Sequence, residues 1–146
     1  MGTITKQLFF DAPLEVVWSI WTDVEKTPEW TEGVRASRII SATKYGPGLC
    51  WEEKCFFAST MVDMEHKIVI WEEKKKTVIR TLLPMGASLE KIAEFKPAGN
   101  LVEANLSLEW NLGFASALIS DEKFSEMLES SFQSTVEKWK KRAENF

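Results

Sequence analysis

Apolar and polar residues alternate with a period of two along most of the chain from residue 34 to residue 111, as expected of strands with one buried face. The alternating segments lie at about 34–42, 48–57, 60–71, 77–83, 87–96 and 101–111, preceded by one at 3–10. Turn residues separate them: Tyr45-Gly46-Pro47-Gly48, the Lys74-Lys75-Lys76 run, Pro84-Met85-Gly86 and Pro97-Ala98-Gly99-Asn100. Such short connections predict an antiparallel meander. From about 120 to 145 the period becomes helical, with Phe124, Met127, Leu128, Phe132, Thr135, Val136 and Trp139 on one face and glutamates and lysines between them. Two shorter helices are predicted at 13–22 and 24–30. Asp11 is expected to cap the first with its carboxylate, and Pro13 suits a first turn that needs no N–H. The order is strand, two helices, six strands, long helix. This predicts an α+β domain over 1–146 whose terminal helix covers one face of the sheet.

Residues i and i+2 of a strand share a face, so the alternation also predicts which side chains look at that helix. In 48–57 the more apolar face is Leu49, Trp51, Glu53, Cys55 and Phe57. In 60–71 it is Val62, Met64, His66, Ile68 and Ile70. In 87–96 it is Ala87, Leu89, Lys91, Ala93 and Phe95, and in 101–111 it is Val102, Ala104, Leu106, Leu108 and Trp110. The segment 77–83 stays open, with Val78, Arg80 and Leu82 competing against Ile79, Thr81 and Leu83. A single bulge would flip any of these faces. An otherwise apolar wall then carries Glu53, His66, Lys91 and, on one parity, Arg80, which is the composition of a ligand pocket. Buried charges without partners are costly, so these groups should pair with one another, with water or with a ligand.

Glu53 is the sharpest candidate. It either orients a ligand hydroxyl or acts as a general base with a raised pKa, or a bulge turns it to solvent beside Glu52 and Lys54. His66, the one histidine, is a candidate hydrogen-bonder or proton shuttle, against a default reading as a half-exposed strand residue. Arg80 would bind a ligand carboxylate if it faces inward, with outward placement at least equally supported. Lys91 would form a Schiff base if desolvated, against a place at the pocket mouth or in solvent. Trp51 and Trp110 are candidate pocket aromatics. Met64, Met127 and Phe132 would line the same space, with Leu89 and Leu106 in its wall. Trp18, Trp21, Trp30 and Trp139 read as helix packing.

Composition narrows the function classes. The net charge of −4 weighs against a nucleic-acid partner. Cys50 and Cys55 are five apart in one predicted strand, hence on opposite faces and unable to pair with each other. No cysteine–histidine spacing suggests a metal, no glycine-rich phosphate loop or nucleophile elbow is present, and neither metal nor cofactor is expected. No signal-peptide region or membrane-length apolar run is seen, so a reduced cytoplasmic setting without membrane insertion is the default, as a monomer or weak homodimer.

The string Asp11-Ala12-Pro13-Leu14-Glu15-Val16-Val17-Trp18, with Asp23, Pro28-Glu29-Trp30 and Gly33-Val34, resembles the START-like or SRPBCC superfamily, and most closely its bacterial polyketide cyclase/dehydrase-like proteins. That superfamily also includes the birch pollen allergen, which has a similar Gly46-Pro47-Gly48 turn. The resemblance implies a helix-grip fold, a seven-stranded curved antiparallel sheet wrapped around the C-terminal helix, with one large apolar cavity. It implies a small hydrophobic or amphipathic ligand, such as a lipid, quinone or polyketide. Three functions remain open. A binding or transport module is preferred. A cyclase/dehydrase would use Glu53 and His66 as acid/base groups, and a co-chaperone-like interaction module would fill its cavity with its own aromatic side chains.

Overall fold

In a computed structural model the chain is described from Met1 to Phe146, apart from Ala58 and the side chain of Phe57. One antiparallel sheet is built from β1 (Gly2–Phe10), β2 (Val34–Ile39), β3 (Cys50–Phe57), β4 (Thr60–Glu72), β5 (Lys76–Leu82), β6 (Ser88–Ala98) and β7 (Leu101–Asn111). Its spatial order is β1-β7-β6-β5-β4-β3-β2. The meander from β2 to β7 needs only short turns, and β1 adds to its far edge beside β7. Helix α1 (Leu14–Thr22) and a 3-10 helix, Val24–Glu29, connect β1 to β2, and α2 (Asp121–Glu144) follows β7. This is the expected helix-grip arrangement.

Register turns the alternation of each strand into rows across the sheet. Trp51, His66, Thr81, Leu89 and Trp110 are successive cross-strand neighbours from β3 to β7. The next row is Ile68, Ile79, Lys91, Leu108 and Ile4. Ser120 caps helix α2, its hydroxyl accepting from the Lys123 N–H, with Asp121 and Glu122 in the first turn and Lys141 and Arg142 in the last. Both arrangements complement the helix dipole and the unpaired terminal backbone groups.

The core divides in two beneath α2. Toward the C-terminal end, Val136, Trp139 and Ala143 pack with Phe10, Val17, Trp18, Phe95, Ala104 and Leu106. Trp139 is fully buried, stacked on Trp21 at 4.8 Å between ring centroids and tilted against Phe10 at 4.8 Å. A burial of this kind contributes roughly 4–6 kcal/mol by area. Toward the N-terminal end, Phe124 packs with Ile4, Leu89, Leu108, Trp110 and Leu112.

Local details differ from the sequence expectations. Asp11 does not cap α1. Pro13 occupies the cap position in extended conformation, with no side-chain cap, and its carbonyl accepts from Val16 and Val17. The Asp11 backbone N–H instead donates to Glu144 Oε2 at 2.8 Å, tying the start of α1 to the end of α2. In β4 an extra residue, Val69, shifts the register between Ile68 and Ile70. The bulge turns Ile70 outward, 43% exposed, and brings Trp71 inward against Trp18 at 5.1 Å. In β5 the inward set is Thr77, Ile79 and Thr81, all buried. Gly33 leads into β2 with φ +80°, and a Cβ there would stand 2.8 Å from the Phe56 carbonyl oxygen, which leaves room for glycine alone.

Candidate ligand cavity

A cavity of about 150 Å³ lies between the middle of α2 and the inner faces of β3 to β6. Trp51, Glu53 and Cys55 of β3, Met64 and His66 of β4, Ile79 and Thr81 of β5, and Leu89 and Lys91 of β6 form its wall. Phe124, Leu128, Ser131, Phe132 and Thr135 of α2 face them, and Trp21, Val24, Thr27 and Trp30 close one side. Free space of this size suits one six-membered ring.

The polar groups of the wall form a connected set. Glu53 is buried on an inward position of β3. Its Oε2 accepts from the Thr27 hydroxyl at 2.7 Å and from the Trp51 indole N–H at 3.2 Å. Its Oε1 lies 2.7 Å from His66 Nε2. That contact is short, yet the ring nitrogen makes no aligned hydrogen bond along it. His66 Nδ1 is 2.6 Å from the Thr81 hydroxyl oxygen. A carboxylate opposite Nε2 requires the ring proton there, so Nδ1 accepts from Thr81. The Trp51 ring stacks on the imidazole at 5.1 Å with an interplanar angle of 24°.

Burial sets the charge states. It pushes Glu53 upward, but the His66 ring N–H, the charges of His66 and Lys91 and the Thr27 hydroxyl outweigh it and bring the carboxyl from 4.5 down to about 2. Burial also lowers the imidazole of His66. The Glu53 contact opposes that shift and the Lys91 ammonium reinforces it. An ionised Glu53 beside a neutral His66 follows at neutral pH, with the carboxylate held by donors rather than by a full imidazolium charge. Burial and the Glu53 charge push the Cys55 thiol up to about 12, so it supplies no thiolate nucleophile.

The candidates named from sequence are distributed as follows. Trp51, Glu53, Met64, His66, Leu89, Lys91 and Phe132 all reach the cavity. His66 is 2% exposed, so the default reading of a half-exposed strand histidine is corrected; its row in the register puts it under Trp51 and beside Thr81. Arg80 is on the outer face, where it pairs with Glu90 at 3.1 Å, because Thr81 takes the inward parity of β5. Leu106 and Trp110 face inward but are packed over by the two ends of α2, in the core and away from the cavity. Met127 stands outside, on a surface groove with Ser130 and Ser134. The Phe57 side chain lies outside the described residues. Thr27, Trp21 and Trp30 line the site from the α1 side without having been singled out. Helical periodicity reads Trp21 and Trp30 as core, and nothing local marks a threonine in a 3-10 helix as a partner of Glu53. Among the described residues no cluster of three metal-ligating side chains occurs, and no helix is long and apolar enough to cross a membrane.

A family model described as polyketide cyclase/dehydrase and lipid transport matches residues 10–82, half of the chain, and the chain belongs to that family. A search of curated proteins finds no match. Solved structures with the same fold include a START superfamily protein from Mycobacterium smegmatis, at 15% identity and TM-score 0.77, covering 98% of this chain and 97% of that one. Another is Ara h 8.0201, at 13% identity and TM-score 0.77, with 99% of each chain covered. A third is the di-domain ARO/CYC BexL from the BE-7585A biosynthetic pathway, at 15% identity and TM-score 0.76, covering 98% of this chain and 50% of that one. At these identities the likeness extends to the fold.

Proposed function

We propose that this member of the polyketide cyclase/dehydrase and lipid transport family binds a small apolar molecule in the cavity between the sheet and α2. Residues 1–146 act as one ligand-binding unit in the cytoplasm, and the protein carries or presents its ligand without transforming it. The observation that carries this reading is the engagement of the one acid/base pair in the wall. Glu53 already accepts from Thr27 and Trp51 and faces His66 Nε2 at 2.7 Å, and His66 already has Thr81 on its other nitrogen. A general base must reach the substrate proton through a free lone pair, directly or through one water. Here Glu53 Oε2 and His66 Nδ1 are engaged within the protein. The cavity volume supports an occupant of about one ring, well below a folded polyketide chain.

One feature favours the alternative, cyclase/dehydrase chemistry with Glu53 and His66 as acid and base. The imidazole Nε2 is close to Glu53 without being aligned on it, so a modest ring rotation would free its proton for a ligand.

The two readings separate in one experiment. Thermal shift against fatty acids, isoprenoid quinones, flavonoids, steroids, aromatic polyketides and single-ring aromatics identifies a ligand class. A ligand at a hundred times its dissociation constant adds about 2.7 kcal/mol, roughly 5–10 °C at this chain length. A saturable shift, retained in His66→Gln and without turnover of the bound compound, is the expected result. Turnover that disappears in His66→Gln would establish the cyclase reading. No shift with any class would remove the ligand-binding function.

A further inference from the structure

We propose that the occupant of this cavity presents an oxygen acceptor, a carbonyl or an oxyanion, on a single-ring apolar body, and that Lys91 and the Trp30 indole N–H receive it. The inference rests on the reading of the cavity as a ligand site and adds the polarity of the ligand.

The donors and acceptors of the wall do not balance. Glu53 Oε2 accepts from Thr27 and Trp51 while its Oε1 faces His66 Nε2, His66 Nδ1 accepts from Thr81, and Glu32 Oε2 at the edge accepts from Lys138 and Ser134. Two donors remain. Lys91 extends from the inner face of β6 into the cavity, and its ammonium has no hydrogen-bond or ion-pair partner among the described residues. It is near enough to Glu53, Cys55 and His66 for its charge to lower the pKa of each. The Trp30 indole N–H is buried in a residue 4% exposed that also lines the cavity, and it has no acceptor. An unmet buried indole N–H is unfavourable, a penalty that a ligand oxygen would relieve. A ligand cation would instead meet the positive charge of Lys91.

The same inventory assigns Lys91 a role other than Schiff-base chemistry. An ammonium without a hydrogen-bond partner among the described residues is suited to holding a fixed oxygen.

The test is an NMR titration of the full chain with four matched single-ring probes: acetophenone, benzoate, ethylbenzene and benzylammonium. Acetophenone or benzoate is expected to bind at least tenfold tighter than ethylbenzene, and benzylammonium no tighter than ethylbenzene. Whichever of the first two is stronger tells carbonyl from oxyanion. Lys91→Met removes most of the tenfold preference, and Trp30→Phe lowers acceptor binding severalfold. Among the described residues Lys91 makes no hydrogen bond through its side chain, so its variant should fold, as a melting curve confirms. Equal binding of all four probes, or a preference that survives both substitutions, overturns the acceptor assignment and leaves the cavity a ligand site. Absence of any saturable shift at cavity residues overturns both.

Discussion

Glu53→Gln keeps the shape of the side chain and removes its charge, so it reads how firmly the cavity wall holds an ionised carboxylate. The Glu53 pKa falls from 4.5 in the unfolded chain to about 2 in the fold. A depressed carboxylate contributes stability that is fully present above its unfolded pKa and is lost as the pH falls toward its folded pKa. The full difference corresponds to about 3 kcal/mol, of which about 2 kcal/mol is lost by pH 3. His66 acts in the same direction from a higher pH. Its folded pKa lies below 6.5, so below that pH the unfolded chain binds the extra proton and the fold loses stability. The assay is thermal unfolding of wild type and Glu53→Gln at pH 7, 5, 4 and 3, read as the difference between the two proteins at each pH. Surface carboxylates such as Glu32 and Glu144 titrate alike in both and cancel. The difference should change by about 2 kcal/mol between pH 5 and pH 3 in favour of the variant, about 4–8 °C in melting temperature. A difference independent of pH would mean that the carboxylate is not held ionised by Thr27, Trp51 and His66, and the account of the wall would fail with it.

Three further substitutions separate the cavity from its surroundings. Leu89→Trp projects a larger ring into the cavity from β6 and should abolish ligand binding in a folded protein, checked by titration and circular dichroism. Leu106→Ala, in the core beside Trp18 and Phe95, should cost about 2–5 kcal/mol in denaturant unfolding and leave ligand affinity within twofold. Gly33→Ala meets both a left-handed backbone and a carbonyl oxygen 2.8 Å away, so it should destabilise by more than about 1 kcal/mol in the same measurement.

The pattern of side chains along the chain was sufficient for the elements and for most of the wall. The alternation 102–110 predicts the five buried residues of β7, and that of β3 places Trp51, Glu53 and Cys55 inward, as observed. Backbone geometry accounts for this: on a strand, facing is a local property with a period of two. Where the period is interrupted, the prediction fails locally, as at the Val69 bulge that exchanges Ile70 for Trp71. Where both faces of a strand are similarly apolar, as in β5, only pairing with β4 and β6 decides that Thr81 and not Arg80 meets His66.

The order of the elements and an inner face carrying Glu53, His66 and Lys91 therefore follow from local pattern alone. Tertiary structure decided which parts of that face are filled and which are open. Leu106, Leu108 and Trp110 share one parity, yet Leu106 and Trp110 are covered at the two ends of α2 and Leu108 alone reaches the space between. The partners of Glu53 were likewise a matter of packing. Thr27 is 26 residues away on a separate helix, and Lys91 and Trp30 are left as open donors because no acceptor among the described residues meets them. Periodicity records how each side chain leaves its own backbone, whereas a cavity and its unmet hydrogen bonds depend on what stands opposite, which packing between distant segments alone determines.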